Sequence, residues 1–463
     1  MRALVLNKRS RNLFGEAETV NALGIGYGRL GQTSDAVEQY RRALKLRRTL
    51  GNRRGVATSL RNLANALAPG GKFDEAAAYL QEARALHIEL GDREGLAAVD
   101  SELGLLAEER GDYRAALAAF RSALHGSQQI DDPRGVAQAL NDVGFAHFQL
   151  GAYDDAQAYW RHAAQAYDSL GDATGRVRTA QNLGLLDMAR GRWDAARATL
   201  QRSLTEAQRQ QMPEEAAVSH RNLAELAVQQ GHIDTALQHL QQAQALFAER
   251  SDQRGVLDTG LLRAQAWLAA GAHQQAARTF AELRPQLVSA SLEQQAIANL
   301  LQGELASQLG HAAQAVAPLR DATALAERSG VRQLQLQAAL LQARGDRLQA
   351  LDTATAELGN IGLRLRWLEL ALRQALETGD AASAARLYRG ARPLLRGGDV
   401  GLAWRLHRGG ARALAEAGDG VAAADARDDA RHALGRMRQH VPPAYRAGFD
   451  RTAAAYAALG PTP

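Results

Sequence analysis

The chain has 463 residues, of which 46% are hydrophobic, 5% aromatic and none cysteine, so a disulfide framework and thiolate metal sites are excluded and a reducing cytoplasm fits. Its net charge of +5 rests on arginine, with lysine only at Lys8, Lys45 and Lys72, a bias that fits a GC-rich bacterial genome. The charge is uneven, about +8 over residues 1–60, +6 over 386–451 and −9 between them, which is unlike the continuous basic surface of a nucleic-acid groove.

The opening segment, MRALVLNKRSRNLFGE, lacks the apolar stretch and small-residue cleavage site of a signal peptide. No window approaches 18 consecutive apolar residues, so no membrane span is expected. From Gly31 onward a period takes over. Gly31, Gly71, Gly111, Gly151, Gly191, Gly231 and Gly271 stand 40 residues apart, each followed five residues later by an alanine, Ala36 through Ala276. A fixed period of this length marks a stacked repeat array, in which each unit buries its apolar face only against its neighbours.

Residues 51–90 show the unit. Asn52 suits a helix N-cap, as do Asp92, Asp132, Asp172 and Asp252 in the same register. A first helix is expected to run to near Ala68, a turn to follow at Pro69-Gly70-Gly71, and a second helix to end near Leu90. Asp74 falls in the first turn of that second helix, where the macrodipole favours a negative charge. Leu60, Leu63, Ala64 and Leu67 on one helix and Ala76, Leu80, Ala83 and Leu86 on the other recur at helical spacing.

The residue pattern narrows the class. Repeat one reads Leu23-Gly24, Tyr27, Ala36, Tyr40, Ala43. Repeat three reads Leu103-Gly104, Ala107, Ala116, Phe120, Ala123, and repeat four Val143-Gly144, His147, Ala156, Trp160, Ala163. In this the chain resembles the tetratricopeptide repeat family, in its long 40-residue variant found in Pins-type scaffolds, kinesin light chains and bacterial regulators. The expected fold is all-α, a right-handed solenoid of about eleven helix-turn-helix hairpins. Residues 16–290 form seven regular hairpins. Residues 291–435 form four degenerate ones, with turn glycines at Gly310, Gly345, Gly379 and Gly418. Residues 436–463, broken at Pro442-Pro443, form a capping helix and tail. Residues 1–15 match the second helix of a repeat, with Ala3, Leu4, Leu6 and Gly15 corresponding to Ala43, Leu44, Leu46 and Gly55, so the array is expected to begin upstream of Met1.

Chemistry-bearing motifs are weak. Gly24-x-Gly26-x-Gly28 lies inside a helix and follows no strand, and Gly70-Gly71-Lys72 lacks Walker spacing. The histidines, His232 and His239 or His147 and His162 for example, have no metal-ligand spacing. Glu108-Glu109, Asp154-Asp155 and Asp428-Asp429 diverge around a helix and read as solvated or capping charges. No catalytic residue, metal or cofactor is expected.

The resemblance implies a groove lined by the first helix of each hairpin, with exposed positions around the Leu-Gly pair. Those positions are Asn21, Arg61, Asn62, Asn65, Asn141, Arg178, Gln181, Asn182, Arg221, Asn222 and Glu225. Asn62, Asn182 and Asn222 resemble the asparagine that holds an extended peptide's backbone in related arrays, and an amide offers that backbone both donor and acceptor. A chaperone-tail carboxylate clamp is not expected, because Glu102 and Asp142 fall where amide and basic residues are needed.

The expected function is therefore a non-catalytic scaffold that binds a peptide or protein segment. By analogy with arrays of this kind, it would be the C-terminal sensing part of a larger cytoplasmic bacterial signalling or transcription regulator whose upstream domain is catalytic or DNA-binding. The alternative is an acidic partner or nucleic acid on the outer, second-helix face, at Arg41, Arg42, Lys45, Arg47, Arg48, Arg53 and Arg54.

Overall fold

The structure, a computed structural model, describes residues 6, 7, 9–395 and 400–458. Residues 1–5 and 8 of the expected leading helix, and 459–463 of the expected tail, lie outside the described residues. The protein is all-α, and successive helices pack as hairpins. The first three hairpins are α1 (Leu13–Arg29) with α2 (Thr33–Thr49), α3 (Arg53–Leu67) with α4 (Phe73–Leu90), and α5 (Arg93–Glu109) with α6 (Tyr113–Gln129); α7 (Pro133–Gln149) and α8 (Tyr153–Leu170) occupy the place of the fourth in sequence. The next three are α9 (Ala173–Ala189) with α10 (Trp193–Arg209), α11 (Pro213–Gln229) with α12 (Ile233–Glu249), and α13 (Gln253–Ala269) with α14 (His273–Leu287). Four less regular hairpins follow: α15 (Leu292–Gln308) with α16 (Ala312–Ser329), α17 (Arg332–Gln342) with α18 (Asp346–Leu358), α19 (Ile361–Glu377) with α20 (Ala381–Ala391), and α21 (Val400–Glu416) with α22 (Gly420–Gln439). A last helix, α23, spans Arg446–Ala458. Two compact units divide inside α7, residues 1–146 and 147–463.

The 40-residue ruler has a backbone cause. All seven glycines at that interval hold φ between 63° and 83°. In this left-handed region a side chain costs roughly 1–2 kcal/mol. The first helices start on side-chain caps: Asn52, Asp92, Asp172 and Asp252 each accept the amide three residues on, at 2.9–3.0 Å. Each such cap is worth about 1 kcal/mol.

A second set of glycines serves packing. Within a hairpin, a Cβ built on Gly24 would lie 2.6 Å from the Tyr40 ring, and one on Gly104 would lie 2.4 Å from the Phe120 ring. Where the partner is Leu80, the facing residue is Ala64, and both lie in one buried cluster. Between hairpins, Gly95 receives His87, Gly175 receives Tyr167 and Gly255 receives Phe247, each within 2.5 Å of the missing Cβ. Between the fifth and sixth hairpins the small residue is Ala207, and position 215 is then glutamate. At these contacts a large residue faces a small one, so the local volume is conserved; Ser127 against Gly135 is the exception. Asn7, at the register of Arg47, lies against Gly15 in the same way, so the segment before α1 repeats the contact.

Within residues 147–463 the less regular hairpins turn back onto the regular ones. Leu358 lies against the turn glycine Gly151, Ile361 against Gly191, Met437 against Gly231, and Phe449 with Thr452 against Gly271. Asn360 donates to the Tyr153 hydroxyl at 3.3 Å, the Asp234 amide donates to the His440 carbonyl at 2.9 Å, and Gln275 donates to the Tyr445 hydroxyl at 3.1 Å. Phe449, Ala453, Met437 and Val441 share one core with Ile233, Leu240 and Ala270. The terminal segment, read from the sequence as a cap, therefore buries its apolar side on the turns of the sixth and seventh hairpins. The shorter helices α17, α18 and α20, of 11, 13 and 11 residues, coincide with the loss of the 40-residue step.

Candidate functional site

In the first unit, Asn21 sits on α1 and is buried. Its Oδ1 accepts from Asn62 Nδ2 at 3.0 Å and lies 3.4 Å from the Arg47 guanidinium. Arg61, on α3, reaches the next hairpin and grips Glu102 with two bonds of 2.7 and 3.0 Å. The Glu102 hydrogen bond raises the Arg61 pKa, against an opposing effect of burial. Asn65 donates to the same carboxylate at 3.4 Å and is itself exposed. Asn141, on α7, donates to the adjacent Asp142 at 3.4 Å.

In the second unit the same registers continue. Arg178, on α9, donates to Glu215 at 2.6 Å, and Gln181 donates to the Glu215 carbonyl and Ser219 hydroxyl at 2.8 and 2.9 Å. Burial is the main influence on Glu215 and holds its pKa above the usual carboxylate value despite Arg178. Asn182 is half-buried. Arg221, on α11, bonds Asp258 at 3.2 Å. Asn222 is 1% exposed, and neither of its amide atoms has a hydrogen-bond partner among the described residues. Glu225 accepts from Gln229 at 3.4 Å, and burial raises its pKa. Beside them His220 and His239 meet Nδ1 to Nδ1 at 2.8 Å, and burial, then His239, pushes His220 down to about 4.

The expectation that all eleven positions are exposed is thereby corrected. Asn21, Gln181 and Asn222 are buried. The physical reason is the distance between hairpins: residues some 34 to 41 apart in sequence lie close enough to bond, so these side chains tie one first helix to the next. The outcome is a polar ladder within each unit: Arg61, Asn62, Asn65 and Asn141 in the first and Arg178, Asn182, Arg221 and Glu225 in the second retain surface.

The basic run near the N-terminus is largely neutralised. Arg41 pairs with Glu75 and Arg48 with Glu82 at 2.7 and 2.6 Å, Arg42 pairs with Glu16, and Arg53 with Glu89. Arg47 is buried on Glu18, Ser59 and the Gly55 carbonyl. It is a network between neighbouring helices and not a bare cationic face.

The ladder registers continue into the less regular hairpins, beyond the positions expected from the sequence. Counting back from Gly379 and Gly418 as from Gly71 places Arg366, Glu369 and Arg373, then Arg405, Arg408 and Arg412, in the ladder registers. Apart from Arg366, these line a cavity of about 710 Å³ between α19, α21 and α22, with an apolar floor that includes Leu372, Leu376, Leu406 and Leu434. The signal was present in the turn glycines, but the shortened spacing hid the register. No group of three or more metal-ligating side chains occurs among the described residues, and none of their helices is long and apolar enough to cross a membrane.

Tetratricopeptide repeat models match residues 17–53, 55–129, 135–204 and 176–249. The chain belongs to the tetratricopeptide repeat family. No curated protein gives a significant match. Several solved structures are similar. BtubC (BKLC) from P. vanneervenii is 22% identical with a TM-score of 0.39, over 48% of this chain and 90% of that one. Aspartyl phosphate phosphatase F from Bacillus subtilis is 13% identical with a TM-score of 0.48, over 62% and 76%. A Rap protein complexed with competence and sporulation factor is 15% identical with a TM-score of 0.46, over 70% and 77%. In this tetratricopeptide chain the family's first-helix registers are those that carry the polar ladder.

Proposed function

We propose that the protein is a non-catalytic interaction scaffold that holds an extended peptide or protein segment against the first helices of its regular hairpins. The observation that carries this reading is the ladder itself: amides and guanidinium groups follow one register from hairpin to hairpin, half-exposed at Arg61, Asn62, Asn182 and Arg221 and exposed at Asn65. A peptide group can replace the hydrogen bonds these side chains now make to one another, because the exchange leaves no donor or acceptor unmet. Asn222 is set aside as a ligand because it is buried. Arginine in place of lysine supports a bacterial source, and the family supports a role as the sensing arm of a larger cytoplasmic regulator.

The test is selection of peptides from a random displayed library on the immobilised protein, followed by fluorescence anisotropy with the enriched sequences. Asn62→Ala/Asn65→Ala/Asn182→Ala should lose at least about tenfold in affinity with unchanged helix content. Failure to enrich any peptide, or equal binding by the triple variant, refutes the reading.

A further inference from the structure

We propose that the cavity between α19, α21 and α22 is a second binding site, which takes an extended acidic peptide segment bearing aliphatic side chains. It is separate from the ladder of the regular hairpins, and neither reading depends on the other. At about 710 Å³ the cavity is within the range of sites that enclose a ligand. Its floor is apolar, and its wall carries Arg373, Arg405, Arg408, Arg412, Arg427 and Arg431 against three carboxylates, Glu369, Glu377 and Asp428. The lining is therefore cationic by three charges.

The arginines are placed to accept a ligand's carboxylates. Arg408 and Arg427 are exposed, and neither makes an ion pair among the described residues; Arg427 Nε donates only to the Ala423 carbonyl, at 3.2 Å. Arg412 and Arg373 pair with Glu416 and Glu377 one turn along their own helices, at 2.7 and 3.5 Å, and Arg431 pairs with Asp428. Exposed pairs of this kind contribute little, so a ligand carboxylate exchanges into them readily. A guanidinium also matches a carboxylate with two parallel bonds.

A nucleic acid suits the site less well. Three carboxylates would face its phosphates, and Trp404 is buried in the core with Met437 and Phe449, leaving no open ring for a base to stack on. The leucine floor instead selects aliphatic side chains, so the ligand alternates acidic and apolar residues, one set for the wall and one for the floor.

The experiment uses the whole chain and a short fluorescein-labelled peptide of alternating glutamate and leucine, read by anisotropy at low salt. Wild type should bind it. Arg408→Glu/Arg427→Glu, both at exposed positions, should weaken binding roughly tenfold or more with unchanged helix content. Replacing glutamate by lysine in the peptide should abolish binding, and replacing leucine by serine should weaken it. The Asn62→Ala/Asn65→Ala/Asn182→Ala protein should bind as wild type does, which separates this site from the ladder. The proposal is overturned if wild type fails to bind, if the charge-reversed protein binds equally, if the asparagine variant loses the peptide, or if an oligothymidylate displaces the probe more strongly than unlabelled peptide.

Discussion

Gly104→Ala tests the claim that glycines inside the helices are there for packing. A Cβ at Gly104 would lie 2.4 Å from both Phe120 Cδ1 and Cε1, and Phe120 is fully buried. Carbon atoms at optimal contact stand about 3.5–4.0 Å apart, so one side has to move by more than about 1 Å. Overpacking of this kind costs about 1–3 kcal/mol, and the helix propensity gained by replacing glycine with alanine returns about 1 kcal/mol. The expected result is a net loss of up to about 2 kcal/mol in urea unfolding at unchanged m. Gly26, which faces away from such contacts with nothing within 4 Å of its Cβ position, is the control. Gly26→Ala should stabilise by about 1 kcal/mol, since only propensity changes. The rescue is already written into the second hairpin, where Ala64 faces Leu80. Gly104→Ala/Phe120→Leu recreates that pair and should recover most of the loss. A neutral or stabilising Gly104→Ala, or a double variant no better than the single, refutes the packing argument.

Acid should weaken the fold through His220. The unfolded chain takes up this proton near 6.5 and the folded chain only near 4, so unfolding binds a proton between those values and stability falls as pH drops through them. The full effect is at most about 3 kcal/mol. Burial acts the other way on Glu215 and Glu225, whose raised pKa values favour the folded state in acid, so the check is a difference: His220→Gln should flatten the fall in melting temperature between neutral and acid pH relative to wild type. Gln211 holds φ at 54° in the register where Gly51, Gly91 and Gly171 occur. Gln211→Gly should therefore raise stability by about 0.5–1 kcal/mol, measured by denaturant midpoint, as left-handed strain is removed and some chain entropy is lost.

The hairpins were legible because two requirements repeat without variation over the first seven: a left-handed glycine at the turn and an alanine where helices meet. The binding registers were legible in position and not in exposure. Asn21 and Asn62 are 41 residues apart, and no periodicity states that their amides bond to each other. The return of the C-terminal hairpins onto Gly151, Gly191, Gly231 and Gly271 was not legible at all. These glycines carry the same sequence signal as Gly31, Gly71 and Gly111, and their extra role, letting Leu358, Ile361, Met437 and Phe449 approach, adds no residue type the turn did not already require.

That double use bears on why the C-terminal hairpins lose their period while their chemistry sharpens. A repeat that stacks only on its neighbours is held to one length by both of them. Residues 358–361 and 437–453 are held instead by the turn edge of hairpins four to seven, through the Asn360 bond to Tyr153 and the shared core around Phe449 and Ile233. Helices there can shorten without exposing their apolar sides, because the burial comes from a distant surface. Between the first helices α19 and α21 one ladder-type pair persists, Arg405 with Glu369 at 3.9 Å, while Arg373, Arg408 and Arg412 in the same registers line the cavity. On this view the loss of periodicity and the cationic site have one cause, and Phe449→Ala, which removes a buried side chain from the seam, should loosen both the fold-back and the acidic-peptide site while leaving the first unit's unfolding unchanged.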